Sequence, residues 1–259
     1  MDEKFDRYVL SSDSSAFVGR VYDLSIVGMH FETYEEASKY PDAKYALDVN
    51  ERTTLLVGRV ESLNHVGDLL WPEQPLTPSL LPVSAHEYCN LIQDVFLMRI
   101  ISVLDCCSIL LATVLELNLH PKHARLDKIR KLSPGNPCVA ALEDIWHQQE
   151  DLRAERNTRI HWGEEREFTD DDLTFKMAAL WSHRGSALSG QDRHGREIDV
   201  ERYLQAAIRK LRLDFIENST ALIAALEDFY RPLKIEFEAR FKAMCGEESS
   251  FMRKVRLSD

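Results

Sequence analysis

The chain has 259 residues, 44% of them hydrophobic, with 43 acidic against 32 basic side chains and a formal net charge of -11. That apolar content suffices for a continuous core, in one large domain or two small ones. The acidic balance excludes general coating of nucleic acid, because a negative surface repels phosphate at long range, so any RNA contact must be local.

Few glycines and prolines among runs of Leu, Ala, Glu, Arg and Ile predict an all-α fold. The opening Met1, Asp2, Glu3 and Lys4 alternate in charge and do not read as a secretion signal. From there to residue 80 the structure is undetermined. Phe17, Val21 and Leu24 fit a helix, whereas Val18, Tyr22, Leu24 and Ile26 fit a strand nearly as well. Leu56, Val60, Leu63, Val66 and Leu70 predict an amphipathic helix. Between Trp71 and Pro82 four prolines each lack an amide donor and disfavour helix before them, which predicts a linker.

Ser84 and Glu87 have the spacing of a capping box, and apolar residues then recur at helical spacing through Leu119. A helix of that extent is about 50 Å long. Ile92, Val95, Phe96, Ile100, Val103, Leu104, Leu110, Leu111, Val114 and Leu115 cannot share one narrow stripe, so it is expected to be buried on more than one side. Its most apolar part, Ile100 to Leu115, is too short to span a bilayer and contains Asp105, so no membrane is expected. His120 and Pro121 end it, and a short basic helix follows over Arg125 to Leu132.

Ser133 to Pro137 reads as a turn, with Pro137 at the first position of a second long helix reaching about His161. Two long helices joined by a compact connection should lie antiparallel. Thr169 or Asp170 is expected to cap a third helix through about His183. Gly185 to Glu197 is a predicted loop. Asp199 starts a terminal pair of helices, interrupted or kinked near Pro232. The predicted divisions are residues 1–80, a helical core over 81–184, and C-terminal helices over 198–259 packing on that core.

The five cysteines, Cys89, Cys106, Cys107, Cys138 and Cys245, are odd in number and lack metal-site spacing. They read as reduced core residues of a cytoplasmic protein. His120 and His123 have no third ligand nearby, so no metal is expected there. No cofactor is implied.

The chemistry concentrates at Arg156, Asn157 and His161, late in the second long helix and just before Gly163. Residues four apart on a helix are about 40° apart in rotation, so Arg153, Asn157 and His161 form one polar stripe. Arg156 and His161 are about 140° apart and converge only if the helix distorts or ends, or if two helix ends meet about a two-fold axis. A cation for phosphate, an amide to position it and an imidazole to move a proton are what metal-free RNA cleavage by the 2′-hydroxyl requires. The negative end of the helix dipole favours an imidazolium at His161. Arg153 and Arg159, with Lys122, Arg125, Lys128, Arg130 and Lys131, are the candidate RNA-binding cations. Arg59 and His65 have a similar spacing, but Val60 follows Arg59, and no catalytic role is expected.

Arg156-Asn157-x-x-x-His161 resembles the Arg-polar-x-x-x-His motif of HEPN-domain ribonucleases, in its surroundings as well as its spacing, over roughly residues 84–184. The resemblance implies an antiparallel bundle of long helices and a metal-independent endoribonuclease, usually dimeric, with Arg156, Asn157 and His161 at its active site. It also implies a setting in toxin–antitoxin, antiviral or stress-response systems, with an antitoxin or defence partner. Gly163 stands where toxins silenced by a partner nucleotidyltransferase have Tyr, which argues against that regulation. The competing reading is a non-catalytic helical module that dimerises or holds a partner as an accessory or inhibitor.

Overall fold

Ser15 accepts a hydrogen bond from the Phe17 amide on its Oγ at 3.2 Å and so opens the first helix, settling a stretch whose periodicity left helix and strand open. The computed structural model describes residues 15–256; the opening charged residues lie outside them. In chain order the helices are α1 (Ala16–Ser25), α2 (Tyr34–Ala37), α3 (Pro41–Glu61), α4 (Asn64–Leu70), α5 (Ala85–Val114) and α6 (Leu126–Leu132). They continue with α7 (Pro137–Gln148), α8 (Glu150–Trp162), α9 (Asp172–His183), α10 (Val200–Cys245) and α11 (Phe251–Arg256). No strand occurs among the described residues, so the fold is all-α.

Several boundaries differ from the sequence expectation. The apolar pattern from Leu56 to Leu70 is split between α3 and α4. α5 stops at Val114 rather than Leu119, because Glu116 (φ 53°) and Asn118 (φ 51°) turn left-handed. The Leu117 amide then closes back onto the Ala112 carbonyl at 3.0 Å. The second long helix is two, α7 and α8, broken at Gln149 (φ -104°, ψ 15°), where no Gly or Pro marks the break. Asp171, not Thr169 or Asp170, caps α9, because its carboxylate accepts from the Thr174 amide at 3.4 Å and the Arg193 amide at 3.0 Å.

The expected terminal pair of helices is one helix of 46 residues with Pro232 inside it. A proline inside a helix costs about 3 kcal/mol. Around it Phe229, Tyr230, Leu233 and Phe237 are all buried, and each such side chain contributes about 1.5–3 kcal/mol, enough to keep the helix running.

The described residues divide into two compact units. The first is built from Ser62–Ile100 and Asp151–Thr220, the second from 15–61, Ile101–Glu150 and 221–256. In the first unit, Phe215 meets Phe96 at 5.7 Å and Trp71 at 6.0 Å between ring centroids, and Phe175 meets Tyr203 at 5.7 Å. The proline-rich segment is pinned there: the Leu76 and Leu70 carbonyls accept from Gln205 (3.0 Å) and Arg212 (2.9 Å). The predicted loop between α9 and α10 is organised around the buried Asp192, which accepts from the His194 and Arg196 amides at 2.9 and 2.8 Å and from the Tyr203 hydroxyl at 3.1 Å. In the second unit Phe17 stacks on Tyr230 and Tyr45 on Phe237, at 5.6 and 5.5 Å.

α5 is the one helix among the described residues long and apolar enough to cross a bilayer. Ile92, Phe96, Leu97, Ile100, Val103, Leu104, Leu110 and Leu111 on it are all buried, so it is a core helix, covered on several sides as its composition predicts. All five cysteines are free, with Cys89, Cys107 and Cys138 buried.

Candidate active site

α8 differs from the other long helices in that none of its residues is fully buried. It is held to α5, within the first unit, by charge. Arg159 donates from Nε to Asp94 Oδ1 at 2.7 Å and from Nη2 to Asn90 Oδ1 at 3.1 Å. One turn earlier, Glu155 Oε1 accepts from Gln93 Nε2 at 2.8 Å. The Arg159 side chain is only 8% exposed. It was expected among the RNA-binding cations; its guanidinium faces α5 and is bonded to Asp94 and Asn90.

The motif residues themselves are uncommitted. Among the described residues Arg156, Asn157 and His161 make no hydrogen bond or ion pair; Arg156 is half-buried, and Asn157 and His161 are exposed. Arg153, half-buried on the same stripe, is already partnered. Ile160 and Trp162 beside the motif are 55% and 76% exposed.

The helix stays regular through Trp162 and ends on Gly163, whose φ of 69° is the left-handed turn that glycine accommodates. Its amide closes onto the Arg159 carbonyl at 3.1 Å. No distortion therefore brings Arg156 round to His161. They stay about 140° apart in rotation and about 7.5 Å apart in rise.

Sequence reasoning missed the polar row behind the motif. His86, Asn90 and Asp94 recur every four residues on α5, which puts them on one face of an otherwise apolar helix. Asn90 Nδ2 donates to His86 Nδ1 at 3.2 Å, and His86 Nε2 donates to Asp172 Oδ2 at 2.9 Å. Asp172 Oδ1 accepts from the Phe168 and Thr169 amides at 2.8 and 3.2 Å. Burial pushes the Asp172 carboxyl up, but its bonds to His86 and to those amides outweigh this and hold it below the usual carboxylate range. Three polar residues spaced by four inside an apolar helix were the signal that could have found this row.

Of the other expected cations, Lys122, Arg125, Lys128 and Lys131 are exposed and Arg130 is paired with Asp127 at 3.1 Å and Glu143 at 3.5 Å. All five belong to the second unit. His120 and His123 are exposed there, and His120 Nδ1 accepts from the Lys122 amide at 3.3 Å. Among the described residues no three His, Cys, Asp or Glu side chains are grouped to hold a metal. Arg59 falls on α3 and His65 on α4.

Comparison with protein families matches residues 82–219, just over half of the chain, to the Cthe2314-like HEPN family. The chain belongs to this HEPN family. The match takes in α5 and α8 and the start of α10, so it spans the polar row and the motif together. No curated protein and no solved structure matches the chain.

Proposed function

We propose that this HEPN protein is a metal-independent endoribonuclease whose site forms where two copies bring their α8 ends together. One observation carries the reading: on a helix whose Glu155 and Arg159 are committed to α5, Arg156, Asn157 and His161 have no bonded partner among the described residues. A guanidinium on a half-buried residue, with no partner among the described residues, is apt for an incoming phosphate.

In this mechanism the RNA 2′-oxygen attacks the adjacent phosphorus while the His161 imidazole takes its proton. The 5′-oxygen leaves with the proton that the resulting imidazolium returns, giving a 2′,3′-cyclic phosphate and a 5′-hydroxyl. Arg156 stabilises charge on the equatorial oxygens and Asn157 orients the phosphate. Because Arg156 and His161 diverge on one helix, each phosphate takes its guanidinium from one copy and its imidazole from the other. Exposed apolar side chains support such pairing: Ile160 and Trp162 beside the motif, and Leu173, Met177 and Trp181 spaced by four along α9. The exposed Lys122, Arg125, Lys128 and Lys131 are proposed to bind the RNA backbone. The gene setting proposed is a toxin–antitoxin or antiviral system acting in the cytoplasm, with an antitoxin or defence protein as partner.

Purified protein is incubated with mixed RNA in EDTA beside a His161→Ala variant. Cleavage by the parent alone, leaving cyclic phosphate ends, supports the ribonuclease. Intact RNA in both favours a non-catalytic module that uses the same exposed apolar residues to hold another protein.

A further inference from the structure

No residue of α8 is fully buried, yet the helix carries the motif whose angular setting the reaction needs. Apolar packing tolerates slippage between helices, whereas hydrogen bonds to charged groups are directional. Arg159 makes three such contacts with α5: Asp94 Oδ1 at 2.7 Å, Asn90 Oδ1 at 3.1 Å and the Asn90 carbonyl at 3.4 Å. Asn90 is itself oriented by His86, and His86 by Asp172 at the start of α9. The guanidinium therefore grips a surface that is fixed from behind.

The grip is not the arrangement that stability alone would select. The Nη1 group of Arg159 is buried with no hydrogen-bond partner among the described residues, an arrangement that packing for stability alone would avoid. Asp94 itself is half exposed, so the ion pair adds little to stability, and what the contact supplies is direction. The second contact supports the same reading. Glu155, one turn before Arg159, accepts from Gln93 at 2.8 Å and faces Arg166, which is bonded to Asp214 at 2.5 Å. Two directional contacts at positions 155 and 159 define both the rotation of α8 and its place along α5.

We propose that Arg159 is a positioning residue: through Asp94 and Asn90 it locks the rotation of α8 and so fixes the directions in which Arg156, Asn157 and His161 project. This rests on the ribonuclease reading for its consequence, but not for its geometry. Arg156 lies about 60° from Arg159 around the helix and His161 about 200° in the same sense, so a small rotation of α8 moves both groups relative to a bound phosphate. Displacements of about 1 Å in such a group cost about 100-fold in rate.

The test compares the parent with Arg159→Met and Arg159→Lys in two measurements on the full chain. Amide hydrogen exchange reads the anchoring of residues 151–163, and cleavage of an RNA substrate in EDTA reads kcat and KM. The expected result for Arg159→Met is exchange faster on the order of tenfold confined to α8 and its end, with kcat lowered about 100-fold and KM within about twofold. Arg159→Lys, which keeps the charge but not the fork, should fall between the two. Unchanged exchange overturns the proposal, as does acceleration throughout the first unit, which would make Arg159 a structural staple. Local loosening with kcat unchanged overturns it too. If the parent leaves RNA intact, the ribonuclease reading fails by that result, and the exchange pattern alone upholds or sinks the lock.

Discussion

Arg156 and Arg159 sit three residues apart on one helix and have opposite fates. Arg159 is taken up by Asp94 and Asn90, while Arg156 has no bonded partner among the described residues. Removing Arg156 should therefore spare the fold. Arg156→Ala is expected to leave stability within about 0.5 kcal/mol, as for a substitution away from any network, and to lower RNA cleavage about 100-fold or more by removing a stabiliser of transition-state charge. Thermal denaturation beside a cleavage assay checks both, and a large fall in melting temperature would make Arg156 a structural residue. Both arginines were visible as candidate cations in the sequence, but which faced inward was not. That depended on Asp94 and Asn90, more than sixty residues earlier, arriving beside Arg159 and not beside Arg156.

Asp192 carries a second residue-scale prediction. Burial raises its carboxyl, but the Arg196 amide and guanidinium, the His194 amide and the Tyr203 hydroxyl outweigh this and hold it well below the usual carboxylate range. A group whose folded pKa is depressed contributes stability above its unfolded value, near 4, and loses it as pH falls below that. Asp192→Asn should therefore melt at a lower temperature than the parent at pH 7, with the gap beginning to narrow as pH falls from about 4 to about 3. A constant gap across that range would mean that the side chain's charge is not what organises the loop.

Among the elements, α10 shows how tertiary burial overrides a local signal. Pro232 predicts a break between two helices, and a single helix of 46 residues runs through it. The helix-breaking cost is local and legible, whereas the burial of Phe229, Tyr230, Leu233 and Phe237 that offsets it belongs to the assembled core. Pro232→Ala should stabilise the protein by about 1–3 kcal/mol, since it restores a backbone donor at a helix interior, less a smaller loss because alanine frees the unfolded chain. Chemical denaturation measures it, and a destabilised variant would show that α10 needs the proline. The same contrast separates the legible boundaries from the missed ones. Asn136 with Pro137, Asp199, and Gly163 marked true helix ends because their chemistry is local. The break at Gln149 and the left-handed stop at Glu116 have no Gly or Pro to announce them.

For the whole molecule, the sequence made the helical class and the motif legible, but each compact unit is built from segments far apart in the chain, so its membership could not be read from runs of residues. Arg156 and His161 are close in the chain yet do not converge, because α8 remains regular and sets them about 140° apart. If each phosphate takes its guanidinium from one copy and its imidazole from the other, inactive variants must complement. In a mixed dimer of Arg156→Ala and His161→Ala chains, one site has lost both groups, while the other pairs the intact Arg156 of one chain with the intact His161 of the other. Equal mixing puts half of the chains in such dimers, each with one of two sites whole, so activity should recover to about a quarter of the parent's from two preparations that are each nearly inactive. Mixing must include a cycle of unfolding and refolding so that subunits exchange, and light scattering should report a dimer. A site contained within one chain predicts no recovery at any ratio, so silence from the refolded mixture, with dimers present and the parent active, would remove the two-copy site while leaving the ribonuclease chemistry of a single chain to be explained.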